Sequence, residues 1–335
     1  MAEDGSLNGS DTEWGTASGE LRAPKPEGAR YELRPLSTGE ILDRTFLLYR
    51  SRFWLYVGLS SLAAGVSVLG SIGKIAYLHF NTPAAGVANT AVVVSSVFTV
   101  VAMILSFVAY SVTQAATVSA VSSVYLGEET SIGRAFGSVR GHWLRYCLIA
   151  MWQAWSAGWI FTLMLVPAIA IPAMGVRSLG WLVSLMMFVA FASLIYGVIA
   201  YLRNSLAIPA AVMEDRRVRG AIKRSKQLAA GRTGAIFLLY LLLFALYMVV
   251  GMLQMPFALV LLHSRSAVYV LTQVIALVVA FLCNAMVGPV GAIALCLFYI
   301  DQRVRKEAFD IEFLMSKTAA PAVDGVAGES ATELA

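Results

Sequence analysis

The sequence predicts an all-α polytopic membrane protein: six transmembrane helices, with three interfacial amphipathic helices on the cytoplasmic side. Three observations predict it. Apolar residues make up 59% of the 335-residue chain and charged residues 13%, against roughly 25% charged in an ordinary soluble domain. The apolar residues gather in six runs, over 53–72, 91–119, 143–167, 181–202, 235–262 and 268–300, and a helix needs about 20 such residues to cross a bilayer. Finally, of the 25 Lys and Arg, all but Lys74, Arg177 and Arg265 fall in segments on the same side of the bilayer as the N-terminus. Positive charge marks the cytoplasmic side, so both termini are expected there.

Each run has the interior of a membrane helix. None holds Asp, Glu, Lys or His, and Arg145 stands only at an edge. Pro167, Pro172, Pro256 and Pro289 fall within or near the ends of runs; membrane helices tolerate proline when neighbours satisfy the freed backbone groups. Residues 1–30, rich in Glu, Gly, Ser, Asp and Pro, read as a disordered tail without the apolar core of a signal peptide. The membrane domain follows over 31–316, and 317–335 form a second disordered tail.

The segments before the odd-numbered runs read as amphipathic elbows. In the first, Ser37 and Glu40 have the spacing of a capping box, and Leu36 and Ile41 that of a hydrophobic staple. Its apolar stripe is Leu42, Phe46, Tyr49 and Phe53. In the second, Thr130 or Ser131 caps a helix with the stripe Ile132, Ala135, Phe136, Val139 and Trp143, and Glu128 and Glu129 stand near its positive end. In the third, Asp215 caps a helix with the stripe Val218, Ala221, Ile222, Ser225 and Leu228. Aligned on Ile41, Ala135 and Ala221, the three suggest an elbow-plus-hairpin repeat of about ninety residues. Arg219, Lys223, Arg224 and Lys226 stand off the third stripe as candidate contacts for anionic lipid headgroups. The alternative is that the elbows only fix topology.

Three motifs carry a resemblance: LRPLSTGEILDRTFLLYRSRF at 33–53, PAAVMEDRRVRGAIKRSKQLAAG at 209–231 and YIDQRVRKEAFDIEFL at 299–314. Together they resemble the bacterial membrane domain of glycerophosphoryl diester phosphodiesterase. The resemblance covers about residues 33–314 and implies a bacterial cytoplasmic (inner) membrane. In that family the phosphodiesterase is a separate soluble barrel of about 250 residues, and the longest polar stretch here is about fifty residues. The resemblance therefore implies the membrane part without the catalytic barrel.

Little else points to chemistry. His79, His142 and His263 converge on no obvious site, and Cys147, Cys283 and Cys296 sit inside apolar runs as small buried hydrophobes. No cofactor, metal or nucleic acid is expected, and no enzyme activity. Ion-coupled transport would leave charges within the spans. The runs hold instead the amides Gln114, Gln153, Gln254, Gln273 and Asn284, which read as glue between helices or as a polar lining. Gly288 and Pro289 are a candidate break in the last run. Beyond that run, Asp301–Arg305, Arg303–Glu307 and Lys306–Asp310 have i,i+4 spacing, and Val304, Ala308, Ile311 and Met315 form a stripe. Asp301, Arg303, Arg305, Glu307 and Asp310 are thus candidates for a cytoplasmic docking surface for a protein partner, or a solvated flank. The expected function is a non-catalytic scaffold or lipid-interacting accessory protein, and the alternative a permease for a neutral or amphiphilic solute.

Overall fold

The computed structural model describes residues 36–80, 88–175, 178–263 and 267–307. They form ten helices and, among the described residues, no strand. In chain order these are α1 (Thr38–Ser51), α2 (Phe53–Phe80), α3 (Ala88–Tyr125), α4 (Ile132–Arg140), α5 (Trp143–Ala173), α6 (Gly180–Asn204), α7 (Ala207–Met213), α8 (Val218–Ala229), α9 (Thr233–His263) and α10 (Ala267–Glu307). The order of a short helix followed by two long ones occurs three times, with α7 as an addition before α8.

Six spans are long and apolar enough to cross a membrane. The shortest has 25 residues, about 37 Å of helix against a hydrocarbon core of about 30 Å. Protein covers little of their surface: Phe188 is 72% exposed, Ile195 70% and Leu69 68%. Apolar surface of this extent needs an apolar solvent, so the chain is an integral multi-pass membrane protein.

Burial concentrates at the end of the bundle that carries the four short helices. There α3, whose Ala115, Ala116 and Ala120 are fully buried, packs on α7, whose Ala207, Ala210 and Ala211 are fully buried as well. Small side chains let these backbones approach closely. The chain breaks at Ser205 before restarting as α7, and Pro209 explains the break. Its ring clashes with the carbonyl four residues back, which is that of Ser205. On the facing pair α5–α6, Gly197 lies against the Ala157 carbonyl, where a Cβ would collide. Through all this runs α10, which touches α1, α2, α3, α7, α8 and α9.

Several expectations change at the level of local structure. The capping box of α1 forms: the Glu40 N–H donates to Ser37 Oγ at 3.2 Å and the Ser37 N–H to Glu40 Oε2 at 2.7 Å. Leu36 and Ile41 are buried, as a staple requires. The buried face, however, is Ile41, Thr45 and Leu48, one residue behind the stripe Leu42, Phe46, Tyr49 and Phe53. Phe46 is exposed, and Tyr49 and Phe53 are half-buried. Apolar residues cover two adjacent faces of α1, and contact with α10 and α9 selects the one with the smaller side chains.

In α4, Ser131 is the N-cap; Ala135 and Val139 are buried, while Ile132 and Trp143 are exposed. In α8 the stripe Ala221, Ile222, Ser225 and Leu228 is buried, but against α5, α6, α7 and α10. Asp215 does not cap α8. The N-cap is Arg217, and Asp215 takes a positive φ of 47° while its carboxylate pairs with Arg145 at 2.8 Å.

Nor does Pro289 break the last span, since α10 is continuous. The carbonyl that Pro289 leaves without an N–H belongs to Ala285, and the Ser60 hydroxyl of α2 donates to it. The neighbouring helix thus supplies the missing donor. The stripe residues Ala308, Ile311 and Met315, the Lys306–Asp310 pair and both tails lie outside the described residues.

Candidate functional site

Between the spans lies a cavity of about 300 Å³, at the lower end of the roughly 300–1,000 Å³ typical of small-molecule sites. Helical spacing builds each wall. From α3 come Tyr110, Gln114 and Val118, and from α9 Tyr240, Phe244 and Tyr247. α10 contributes the small residues Gly288, Gly291 and Ala292, which leave the space open. α5 adds Ala150 and Gln153, α6 Tyr201, and α7 closes the floor with Ile208 and Pro209.

A second pocket of about 210 Å³ shares Tyr110, Gln114, Tyr247 and Gly288 with the first and reaches α2 through Ser60, Ala64 and Ser67. Together the two are lined from all six spans. Tyr110 and Tyr247 stand near the midpoints of the spans Val93–Tyr125 and Thr233–Val260.

The lining is largely apolar, with tyrosine, amide and hydroxyl groups set into it, and uncharged: it holds no Asp, Glu, Lys, Arg or His. Tyr201 and Tyr240 meet edge to face, with ring centroids 5.4 Å apart. The Gln153 amide is committed, donating to the Asn204 carbonyl at 2.7 Å, and Asn204 donates to Ser156 Oγ at 3.0 Å. Asn284 bonds back to the Ala280 carbonyl of its own helix. Two groups are left over. Thr113 Oγ1 is buried with no partner, and among the described residues none bonds to Gln114. A buried hydroxyl without a partner costs about 1–3 kcal/mol, so a guest that supplies one is favoured.

A second assembly of polar groups lies at the end of the bundle with the short helices. Glu214, just beyond α7, is its centre. Its carboxylate takes Arg216 Nε at 2.6 Å and Arg224 Nε at 3.0 Å, accepts the Tyr299 hydroxyl, and has Arg303 Nε at 3.6 Å. Glu307 bridges Arg224 and Arg303. Burial works against the Glu214 carboxylate, but the hydrogen bonds from Tyr299, Arg216 and Arg224 outweigh it and hold its pKa below the usual carboxylate value. For the Arg224 guanidinium burial is likewise the largest opposing influence, overcome by hydrogen bonds to Glu307 and Glu214, and its pKa is raised. Asp215 is lowered by the hydrogen bond from Arg145.

Asp301 anchors the other side of this assembly. It is 1% exposed and accepts the Leu36 N–H at 2.7 Å, Arg305 Nε at 3.0 Å and Gln302 Nε2 at 2.9 Å. Arg305 also donates to the Leu36 carbonyl. Lys306 spends its three donors on the carbonyls of Gln227, Leu228 and Ala230, at 2.8–3.0 Å, and so caps the end of α8.

The structure therefore distributes the candidate residues unevenly. Of the four basic residues of α8, Arg219, Lys223 and Lys226 are exposed, while Arg224 is taken up by Glu214 and Glu307. Asp301, Arg303, Arg305 and Glu307 tie α10 to α1, α8 and Glu214; Asp310 lies outside the described residues. Gln114, Gln153 and Asn284 come together at the two pockets, whereas Gln254 and Gln273 are half-buried and line neither. The tyrosines of the cavity and the role of Glu214 were not apparent from the sequence. The available signal was the position of Tyr110 and Tyr247 inside apolar runs rather than at their ends, where tyrosine is enriched. No protein-family model, curated protein sequence or solved structure matches the chain.

Proposed function

We propose that the protein is a non-catalytic permease that takes a neutral or amphiphilic solute between its spans. The observation that carries this reading is the pair of adjoining uncharged pockets, together lined from all six spans, with Gln114 and Thr113 lacking partners among the described residues at their walls. A charged guest would find no counter-charge there, and burying an unpaired charge costs far more than burying a hydroxyl. Four tyrosines, Gln114 and the flanking serines offer both donors and acceptors over an apolar floor, which suits a polyol or the head of a neutral lipid. The Gln114→Leu variant is expected to reduce saturable binding of tritiated glycerol or monooleoylglycerol by about tenfold in proteoliposomes, the effect of one hydrogen bond lost to a buried partner. If neither probe binds saturably, or the variant binds as well as the native protein, the cavity is not a solute site.

A lipid-interacting accessory role is the second reading, supported by the exposed cations Arg219, Lys223 and Lys226 on α8. Changing these three to glutamine, with Arg224 left to hold Glu214, should reduce the stabilisation that anionic lipid gives over zwitterionic lipid in thermal melts. Unchanged melts in both lipids would remove the support. Kinship with the membrane domain of glycerophosphoryl diester phosphodiesterase, and a place in a bacterial cytoplasmic membrane with both termini inside, belong to the same proposal. The motifs and the distribution of Lys and Arg support them, and proteolysis of the tails in sealed inside-out vesicles checks the orientation.

A further inference from the structure

A separate groove runs along the outer wall of the bundle. It begins between α2 and α3, where Leu69, Gly70, Gly73, Phe98 and Leu105 wall a trough of about 620 Å³ with no charged side chain. Val108 and Val112 of α3 belong both to this trough and to a second, of about 550 Å³, beside α4. The second is walled by Gly133, Phe136, Gly137, Arg140 and Trp143. Phe98 to Val112 is about 21 Å of helix, and one leaflet contributes about 15 Å of the hydrocarbon core. The groove is long enough for one acyl chain and ends at a cation and a tryptophan, Arg140 and Trp143, where α5 begins.

The composition of α4 supports an occupant. Gly133, Phe136, Gly137 and Arg140 stand at i, i+3, i+4 and i+7, on one face, while Ala135 and Val139 are buried. Each glycine inside a helix costs about 0.8–1.0 kcal/mol relative to alanine. Packing does not demand these two, since a Cβ on either would meet nothing within 4 Å. Backbone conformation does not demand them either, as neither has a positive φ. What they do is keep a notch open beside Arg140. Arg140 itself is exposed, and among the described residues no carboxylate or carbonyl bonds to it. Trp143 is 42% exposed, and indole rings favour the headgroup level.

We propose that this groove binds an anionic glycerophospholipid, its phosphate on Arg140 in the Gly133–Gly137 notch and one acyl chain laid along α3. A guanidinium can bond two oxygens of a phosphodiester at once, and the groove opens sideways among the chains of the bilayer, so the occupant enters without leaving the membrane.

The test uses the full chain in detergent, with bound lipids counted by native mass spectrometry and affinity read by titration. The probes are dioleoylphosphatidylglycerol, dioleoylphosphatidylcholine and inorganic phosphate. The native protein should bind phosphatidylglycerol about tenfold more tightly than phosphatidylcholine, and inorganic phosphate should not compete. Arg140→Gln should remove the preference between the two lipids, and Gly137→Leu, which fills the notch, should weaken both. Gly133→Leu repeats the second test should Gly137→Leu fail to fold. The proposal is overturned if the native protein shows no preference, if Arg140→Gln keeps it, if the filled notch binds both lipids normally, or if inorganic phosphate alone displaces the lipid.

Discussion

Replacing Glu214 with alanine should lower the stability of the detergent-solubilised protein by about 3 kcal/mol, within the range seen when one partner of a buried ion pair is removed. The side chain is 10% exposed and serves two well-bonded guanidiniums, a third at longer range and one tyrosine hydroxyl. Its loss removes the carboxylate that Arg216, Arg224 and Arg303 share, and leaves Glu307 paired with Arg224 and Arg303. Glu307 is 28% exposed, so its own replacement should have a smaller effect. The same carboxylate makes stability depend on pH. Its folded pKa lies below the unfolded value, so in the window between the two the unfolded chain binds more protons. The stabilisation is complete above the unfolded pKa, about 4.3, and is lost as pH falls through the folded one. Glu214→Gln should be less stable at neutral pH and should lose part of the acid dependence. Thermal melts from neutral pH down to about pH 3 measure both, and melts that fall in parallel for the native protein and the glutamine variant would show that another carboxylate governs the acid limb.

The same residue shows where sequence patterns stop being informative. Spans were legible because twenty apolar side chains in a row have one physical solution, and α2, α5 and α6 begin at or beside the residues the patterns indicate. The cap of α1 was legible too, since Ser37 and Glu40 interact three residues apart. Glu214 lies 85 residues from its partner Tyr299, and no local period encodes that meeting. Asp215, next to it, has the chemistry of a cap, and competition from Arg145, 70 residues away, overrides the local preference. The cavity was half legible. Mid-span amides mark polar positions, but which helices face one another decides whether an amide lines a space, as Gln114 does, or stays outside it, as Gln254 and Gln273 do. Even the stripe of α1 went astray for this reason: two apolar faces competed, and the tertiary contact chose Ile41, Thr45 and Leu48.

Asp301→Ala should release α1 from the bundle. The carboxylate is a junction of three attachments, holding the Leu36 N–H directly, the Arg305 guanidinium that in turn grips the Leu36 carbonyl, and the Gln302 amide. Both backbone groups of Leu36 therefore depend on one side chain more than 260 positions along the chain. Removal leaves a buried N–H and a partly buried guanidinium without their acceptor, a loss of about 3 kcal/mol. Because α1 has its own capping box and contacts mainly α10, α2 and α9, the damage should be local before it is global. Hydrogen exchange at the Ile41–Leu48 amides should accelerate about a hundredfold, while the amides of α5 and α6, which pack chiefly on each other, change little. Asp301→Asn keeps an acceptor for Leu36 but not the charge for Arg305, and should fall between the two. Were α1 to exchange at the native rate in the alanine variant, the staple of Leu36 on Ile41 and the buried face of α1 would be holding it, and the Asp301 junction would be redundant.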